Sequence, residues 1–182
     1  NEINHLPSKL EIIMMKNILG IEVVAHGIKV TLIDSETNLI VPDTTIVSKE
    51  IDSDGTADYI FSKWAEAIDE CLQSAPGTAT HIGMAMPGQL EFEDGILRIK
   101  DHALCGLNIK ESLSEKTNVP ANNIKIQNSA PAFMLGEVLL GATEGYQNVL
   151  AFNLESGFGT ARYVNGEVIN PDLWQSPFKD GI

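Results

Sequence analysis

The spacing of apolar residues changes in a fixed order along the chain, and that order constrains the fold more than any single motif. NILGIEVVAHGIKVTLID (17–34) holds two β-rich runs, Ile18–Val24 and Ile28–Ile33, which pivot on Gly27 and predict a hairpin. LIVPDTTIVS (39–48) supplies a third strand, with Pro42 confining its start to a sheet edge because proline donates no ladder hydrogen bond. The period then lengthens. Ile60, Trp64, Ile68 and Leu72 recur every four residues with polar residues between them, so DSDGTADYIFSKWAEAIDECLQSA reads as an amphipathic helix whose stripe, Trp64 included, is core.

Strand and helix patterns alternate after that. HIGMAMPG (81–88) is a nearly continuous apolar run closed by Pro-Gly, the pattern of a buried central strand. LNIKESLSEKT (107–117) predicts a helix, NIKIQ (123–127) a strand, and APAFMLGEVLLGAT (130–143) a helix with Pro131 in its first turn. Beyond GYQNV, VLAFNL and TARYVNGEVI predict strands, the second turning at Asn165–Gly166. Three strands, helix, strand, helix, strand, helix and then new strands imply an α/β lobe with a mixed sheet, followed by the opening of a second lobe. The expected division is a lead-in at 1–16, a first lobe at 17–146 and the start of a second lobe at 147–182.

Charge and residue types narrow the function. The formal net charge is −13, and no stretch concentrates Lys or Arg as a phosphate-backbone binder requires, so neither nucleic acid nor an anionic membrane is an expected partner. LEIIMM is interrupted by Glu11 and too short to span a bilayer, which makes a cytoplasmic protein the expectation. Cys71 and Cys105 show no CxxC spacing, and the histidines at 5, 26, 81 and 102 form no metal-ligand pair at helical spacing. No disulfide framework and no zinc site are expected.

Some residues stand where chemistry is often placed. Asn128-Ser129 lies at a strand-to-helix junction, yet neither side chain takes a proton from a substrate at neutral pH. The pair reads either as a helix cap alone or as a cap that also touches a ligand. Pro87-Gly88 either ends a strand or faces a ligand. Glu22, between Ile21 and Val23, is an acid among apolar neighbours and is expected to face a cleft or a partner. His26 reads as a turn cap, and Asn165-Gly166 as a turn only.

Four stretches in order, ILGIEVVAHGIKVTLID, IGMAMPGQLEFEDGI, IKIQNSAPAFMLGEVLLGA and NVLAFNLESGFGTARYVNGEV, resemble the ROK family of sugar kinases, within the actin/hexokinase/Hsp70-type ATPase fold. DLWQSPFKDGI also resembles a ROK subgroup that lacks the zinc motif. The resemblance implies a ribonuclease H-like, actin-like ATPase lobe with a five-stranded mixed sheet, ATP with Mg²⁺ as cofactors if the protein is active, and a small-molecule sugar as partner.

The same resemblance implies a role for each matched position. The first phosphate loop, usually Asp-x-Gly-Gly-Thr, falls on Glu22 to His26; Glu22 takes the place of the acid that organises Mg²⁺, and both glycines are replaced, by Val24 and Ala25. The second, usually Leu-Gly-Thr-Gly-x-Gly, falls on Leu154 to Gly159, keeping Ser156, Gly157 and Gly159 but bringing in Glu155. A carboxylate about 4 Å from a phosphate charge at an effective dielectric of about 20 is repelled by roughly 4 kcal/mol, unless Mg²⁺ or Lys29 screens it. The catalytic base, an Asp in an Asn-Asp pair, corresponds to Ser129, with Asn128 retained; Pro87 and Gly88 correspond to a sugar-side turn, and Asp101 and His102 to a sugar-facing loop.

Three departures on one reaction path imply a sugar-binding protein with impaired or lost phosphotransfer. The alternative is an active ATP-dependent hexose kinase of glucokinase or N-acetylglucosamine kinase type, with Asp101 or a bound water as base. A ROK-type repressor with a winged helix-turn-helix is the third reading, set aside on the negative charge and on the 16 residues ahead of the first strand. Relatives continue beyond the second phosphate loop, so a homo-oligomer, a dimer at least, is expected to cover the apolar surface of a short second lobe.

Overall fold

In a computed structural model, the chain is described at residues 17–75, 78–88, 90–91, 93–154, 157–171, 173 and 177. The expected lead-in, Glu155, Ser156 and most of DLWQSPFKDGI lie outside the described residues. The chain forms two compact units, one comprising residues up to 84 with 88–126, the other 85–87 with 127 onward.

The first unit opens with β1 (Asn17–Val24) and β2 (Gly27–Asp34), paired antiparallel from Asn17↔Asp34 to Val24↔Gly27. The turn therefore falls on Ala25-His26, one residue ahead of the expected pivot. Gly27 has another function: a Cβ there would stand 2.5 Å from the Lys49 carbonyl oxygen, so its absence lets the next strand lie close. That strand, β3 (Val47–Glu50), is shorter and later than expected. Asn38 and Asp43 take left-handed backbone conformations (φ 59° and 64°), and Pro42 between them has no N–H, so 39–46 contributes only an Ile33↔Ile40 bridge.

Helix α1 (Ala57–Ser74) starts where Thr56 Oγ1 accepts the Tyr59 N–H at 3.3 Å. It buries Ile60, Phe61, Trp64, Ala67, Ile68 and Cys71 against β2 and β3. A four-residue spacing outruns a 3.6-residue turn, which is why Cys71 rather than Leu72 ends the buried stripe. Strand β4 (His81–Met86) is flanked by β1 and β7 (Ile124–Asn128) in a five-stranded mixed sheet of order β3-β2-β1-β4-β7. Between them lie a small hairpin of β5 (Leu90–Glu91) and β6 (Ile96–Leu97), helix α2 (Ile109–Thr117) and a 3-10 turn at Ala121–Asn123. Leu97, Leu104, Ile109 and Leu113 are buried, so this hairpin and loop belong to the core.

The second unit is built on helix α3 (Ser129–Leu140) and a sheet of β8 (Asn148–Leu154), β9 (Phe158–Val164) and β10 (Glu167–Ile169) in the order β10-β9-β8. Ala130 and Met134 of α3 bury against Ala161, with Val149, Ala151, Tyr163 and Val168 around them. Because α3 packs on this sheet, it falls with it in the unit that runs from Gln127 onward. The helix also stops short of Thr143, at Leu140, where Gly141 N–H closes on the Glu137 carbonyl at 3.1 Å. Asn165 and Gly166 both have positive φ (48° and 100°), as a two-residue hairpin turn of this hand requires. Among the described residues no helix is long and apolar enough to cross a membrane.

Candidate functional site

The expected site residues fall in both units, and each unit carries its own group. In the second, Asn128 is the cap of α3: its Oδ1 accepts the Ala130 N–H at 3.1 Å, while its own N–H donates to Gln127 Oε1 at 2.8 Å. Ser129 is the first helical residue, half-buried, and among the described residues nothing bonds its Oγ. Capping thus falls to Asn128, and the serine hydroxyl is left to interact with something else. Gln127 carried no pattern that would single it out in the sequence, because one amide in a strand repeats nothing.

Gly159 of β9 lies close to the start of α3. A Cβ at Gly159 would lie 3.1 Å from the Ala130 Cβ, so the glycine permits the first turn of α3 to lie against the strand. Gly157 is exposed, and a Cβ there would meet no atom within 4 Å. Packing is tight around the first of these positions and open at the second. Pro87, half-buried, is the last of the three β4-end residues that belong to this unit.

In the first unit, Glu22 and Lys29 stand directly opposite in the β1–β2 register, and the Lys29 ammonium donates to Glu22 Oε2 at 2.9 Å. Glu22, expected to face a cleft or a partner, is nearly half exposed and makes this cross-strand pair. The adjoining turn places neither Ala25 nor His26 at positive φ, so it forms no glycine-type nest of N–H groups for phosphate. His26 serves through its backbone, its carbonyl accepting the Ile51 N–H at 2.9 Å.

Gly88 (φ 102°) has the side chain of Ile99 packed where its Cβ would be, so the turn after β4 lies against the segment leading to Asp101 and His102. Asp101 is exposed with φ 64°, and His102 Nδ1 accepts the Leu104 N–H at 3.1 Å, ordering the turn that buries Leu104. Beside this loop, Arg98 pairs through two nitrogens with Glu91 at 2.9–3.0 Å. The hydrogen bond from Arg98 holds the Glu91 carboxyl below its ordinary range.

The Glu22 carboxylate is engaged by an ammonium, and among the described residues no group of three or more His, Cys, Asp or Glu could hold a metal ion.

The profile described as "ROK family" matches residues 18–171. The chain is 27% identical over 113 residues to a xylose repressor of Bacillus subtilis, covering 62% of this chain and 28% of that protein. It is 28% identical over 93 residues to a glucokinase of Thermotoga maritima, covering 50% of this chain and 28% of the glucokinase. The solved structure of an inorganic polyphosphate/ATP-glucomannokinase from Arthrobacter sp. strain KM superposes with a TM-score of 0.74 at 22% identity, over 91% of this chain and 65% of that one. This chain thus spans less than a third of either curated relative. The superposition shows the fold, an actin-like ATPase fold with its five-stranded mixed sheet.

Proposed function

The chain belongs to the ROK family, and on that premise we propose that it is a cytoplasmic hexose-binding protein whose ATP-dependent phosphotransfer is impaired or lost. The observation that carries the reading is Ser129 at the first position of α3, where the family places an Asp as general base. A hydroxyl that stays protonated at neutral pH can exchange hydrogen bonds with a sugar but cannot take the proton of the attacking sugar oxygen. Loss of a general base typically removes about 10²–10⁴ of rate.

Each remaining residue has a role in that reading. In the second unit the sugar role falls to Asn128, Ser129 and Pro87, and in the first unit the resemblance gives the same role to Gly88, Asp101 and His102. The resemblance gives the phosphate role to Lys29 in the first unit and, separately, to the motif of Ser156, Gly157 and Gly159, in which Glu155 adds a charge of the same sign as phosphate. Glu22 holds Lys29 instead of a metal ion. Sugar as the ligand class is supported by the names of the relatives, a xylose repressor, a glucokinase and a glucomannokinase.

Thermal-shift and calorimetric titrations with glucose, mannose, N-acetylglucosamine, fructose and xylose test this reading beside ATP with Mg²⁺. A sugar should raise the melting temperature more than the nucleotide does; a nucleotide shift larger than that of every sugar would reverse the assignment. The xylose repressor match favours a second reading, a sugar-responsive regulator. A gel shift with duplex DNA separates it, and at a net charge of −13 the expected result is no complex.

A further inference from the structure

The β9–β10 turn holds a reactive pair that its part in the fold does not use. Of the asparagines in the chain, Asn165 alone is followed by glycine. The main-chain nitrogen after an asparagine can close a succinimide ring on the side-chain carbonyl carbon, and a Cβ on the following residue crowds that approach. Asn165 and Gly166 are both exposed, with φ of 48° and 100°. The Asn165 N–H donates to the Gln147 carbonyl at 2.8 Å, but among the described residues nothing bonds the Asn165 side-chain amide or the Gly166 N–H. A Cβ built on Gly166 would meet no atom within 4 Å. Other asparagines lack one of these features. Asn128 Oδ1 is held by the Ala130 N–H at 3.1 Å, Asn170 precedes Pro171, whose nitrogen carries no proton, and Asn148 and Asn153 precede Val149 and Leu154 within β8.

We propose that Asn165 is a site of spontaneous deamidation to aspartate and isoaspartate. Solvent base removes the Gly166 amide proton, and that nitrogen forms a bond to Asn165 Cγ. The Cγ–Nδ2 bond breaks, and Nδ2 leaves as ammonia after taking a proton from water, which returns the base. Water then opens the succinimide. Cleavage of the new bond to Cγ gives aspartate; cleavage at the main-chain carbonyl gives isoaspartate, with Gly166 joined through Cγ. The turn is lightly held for such chemistry, because β10 is a three-residue strand at the edge of its sheet. Aspartate keeps the turn, since Asp-Gly suits it as Asn-Gly does. Isoaspartate puts an extra main-chain carbon between Val164 and Glu167, which the turn pairs, and so removes the closure that sets the β9–β10 register. Either product adds a negative charge beside Glu167.

This proposal is independent of the sugar-binding reading. Its test is to age the full chain at neutral and mildly alkaline pH in water enriched in heavy oxygen. Trypsin digestion then follows in ordinary water, so that only changes made during ageing carry the label. Cleavage after Arg162 and Lys179 gives a peptide holding Asn165 and Asn170, which fragment masses distinguish. Heavy oxygen should enter at Asn165 before any other asparagine. Its rate should rise about tenfold for each unit of pH, the factor by which the deprotonated fraction of a weak acid grows. NMR contacts between the paired Tyr163 and Val168 should be lost in the purified isoaspartyl form and kept in Asn165→Asp. No label at Asn165, label elsewhere ahead of it, or a rate indifferent to pH would overturn the proposal. Contacts kept in the isoaspartyl form would overturn its effect on the ladder.

Discussion

Lys29 reaches across the β1–β2 ladder to hold the carboxylate of Glu22 at 2.9 Å, the two residues standing opposite each other in register. Glu22 is the residue that the family resemblance marks for metal, and its charge is already met by a neighbour on the next strand. Both side chains are nearly half exposed, at 48% and 46%, so water screens the pair. Glu22→Gln and Lys29→Ala should therefore each change the unfolding free energy by less than about 1 kcal/mol in urea titrations. A loss of several kcal/mol from either would show the pair to be a structural element of the hairpin.

Trp64 is 2% exposed and meets Phe61 edge-on at 5.3 Å on the buried side of α1. Truncation removes a large ring from a packed layer that cannot collapse fully around the void. Trp64→Ala should cost about 3–5 kcal/mol by urea denaturation, with Trp64→Phe costing clearly less. Equal losses from the two would contradict the packing described.

The Glu91–Arg98 pair makes a prediction about pH. Its first cause is the hydrogen bond from Arg98, which lowers the Glu91 carboxyl from its ordinary value. A carboxyl lowered by folding binds its proton more weakly in the folded state than in the unfolded one. Any stability it contributes is thus present above the ordinary carboxylate pKa and fades as pH falls through the lowered one. Carboxyl NMR titration should find Glu91 below the usual range and Arg98→Gln should return it there; an unchanged midpoint in that variant would refute the assignment.

The parts legible in the sequence are those with repetition long enough to express a period. Helix α1 is 18 residues long and declares its buried face through Ile60, Trp64 and Ile68. The β5–β6 hairpin is made of two-residue strands, too short for any alternation to register. The third strand lies later than LIVPDTTIVS suggests, because its β-branched residues favour extended chain whereas the left-handed Asn38 and Asp43 interrupt it. The ownership of α3 depends on Ala130 and Met134 packing against Ala161 some thirty residues later, which local pattern does not express.

The candidate site was legible only as positions. Its motif order placed Glu22, Asn128, Ser129 and Gly159, but their interactions depend on register and close approach. That Lys29 faces Glu22 follows from where the turn closes, and that Gly159 lies tight against Ala130 follows from a helix meeting a strand.

The most direct measurement is sugar-dependent ADP release, coupled to a spectrophotometric readout, on the wild-type chain and on Ser129→Asp across the hexose panel with ATP and Mg²⁺. The result expected is no sugar-dependent turnover from wild type and none gained by Ser129→Asp, because Val24 and Ala25 still stand where the family resemblance expects the glycines of a phosphate loop. Wild-type turnover of the order of 1–100 s⁻¹, the ordinary range of kinases, would contradict the account.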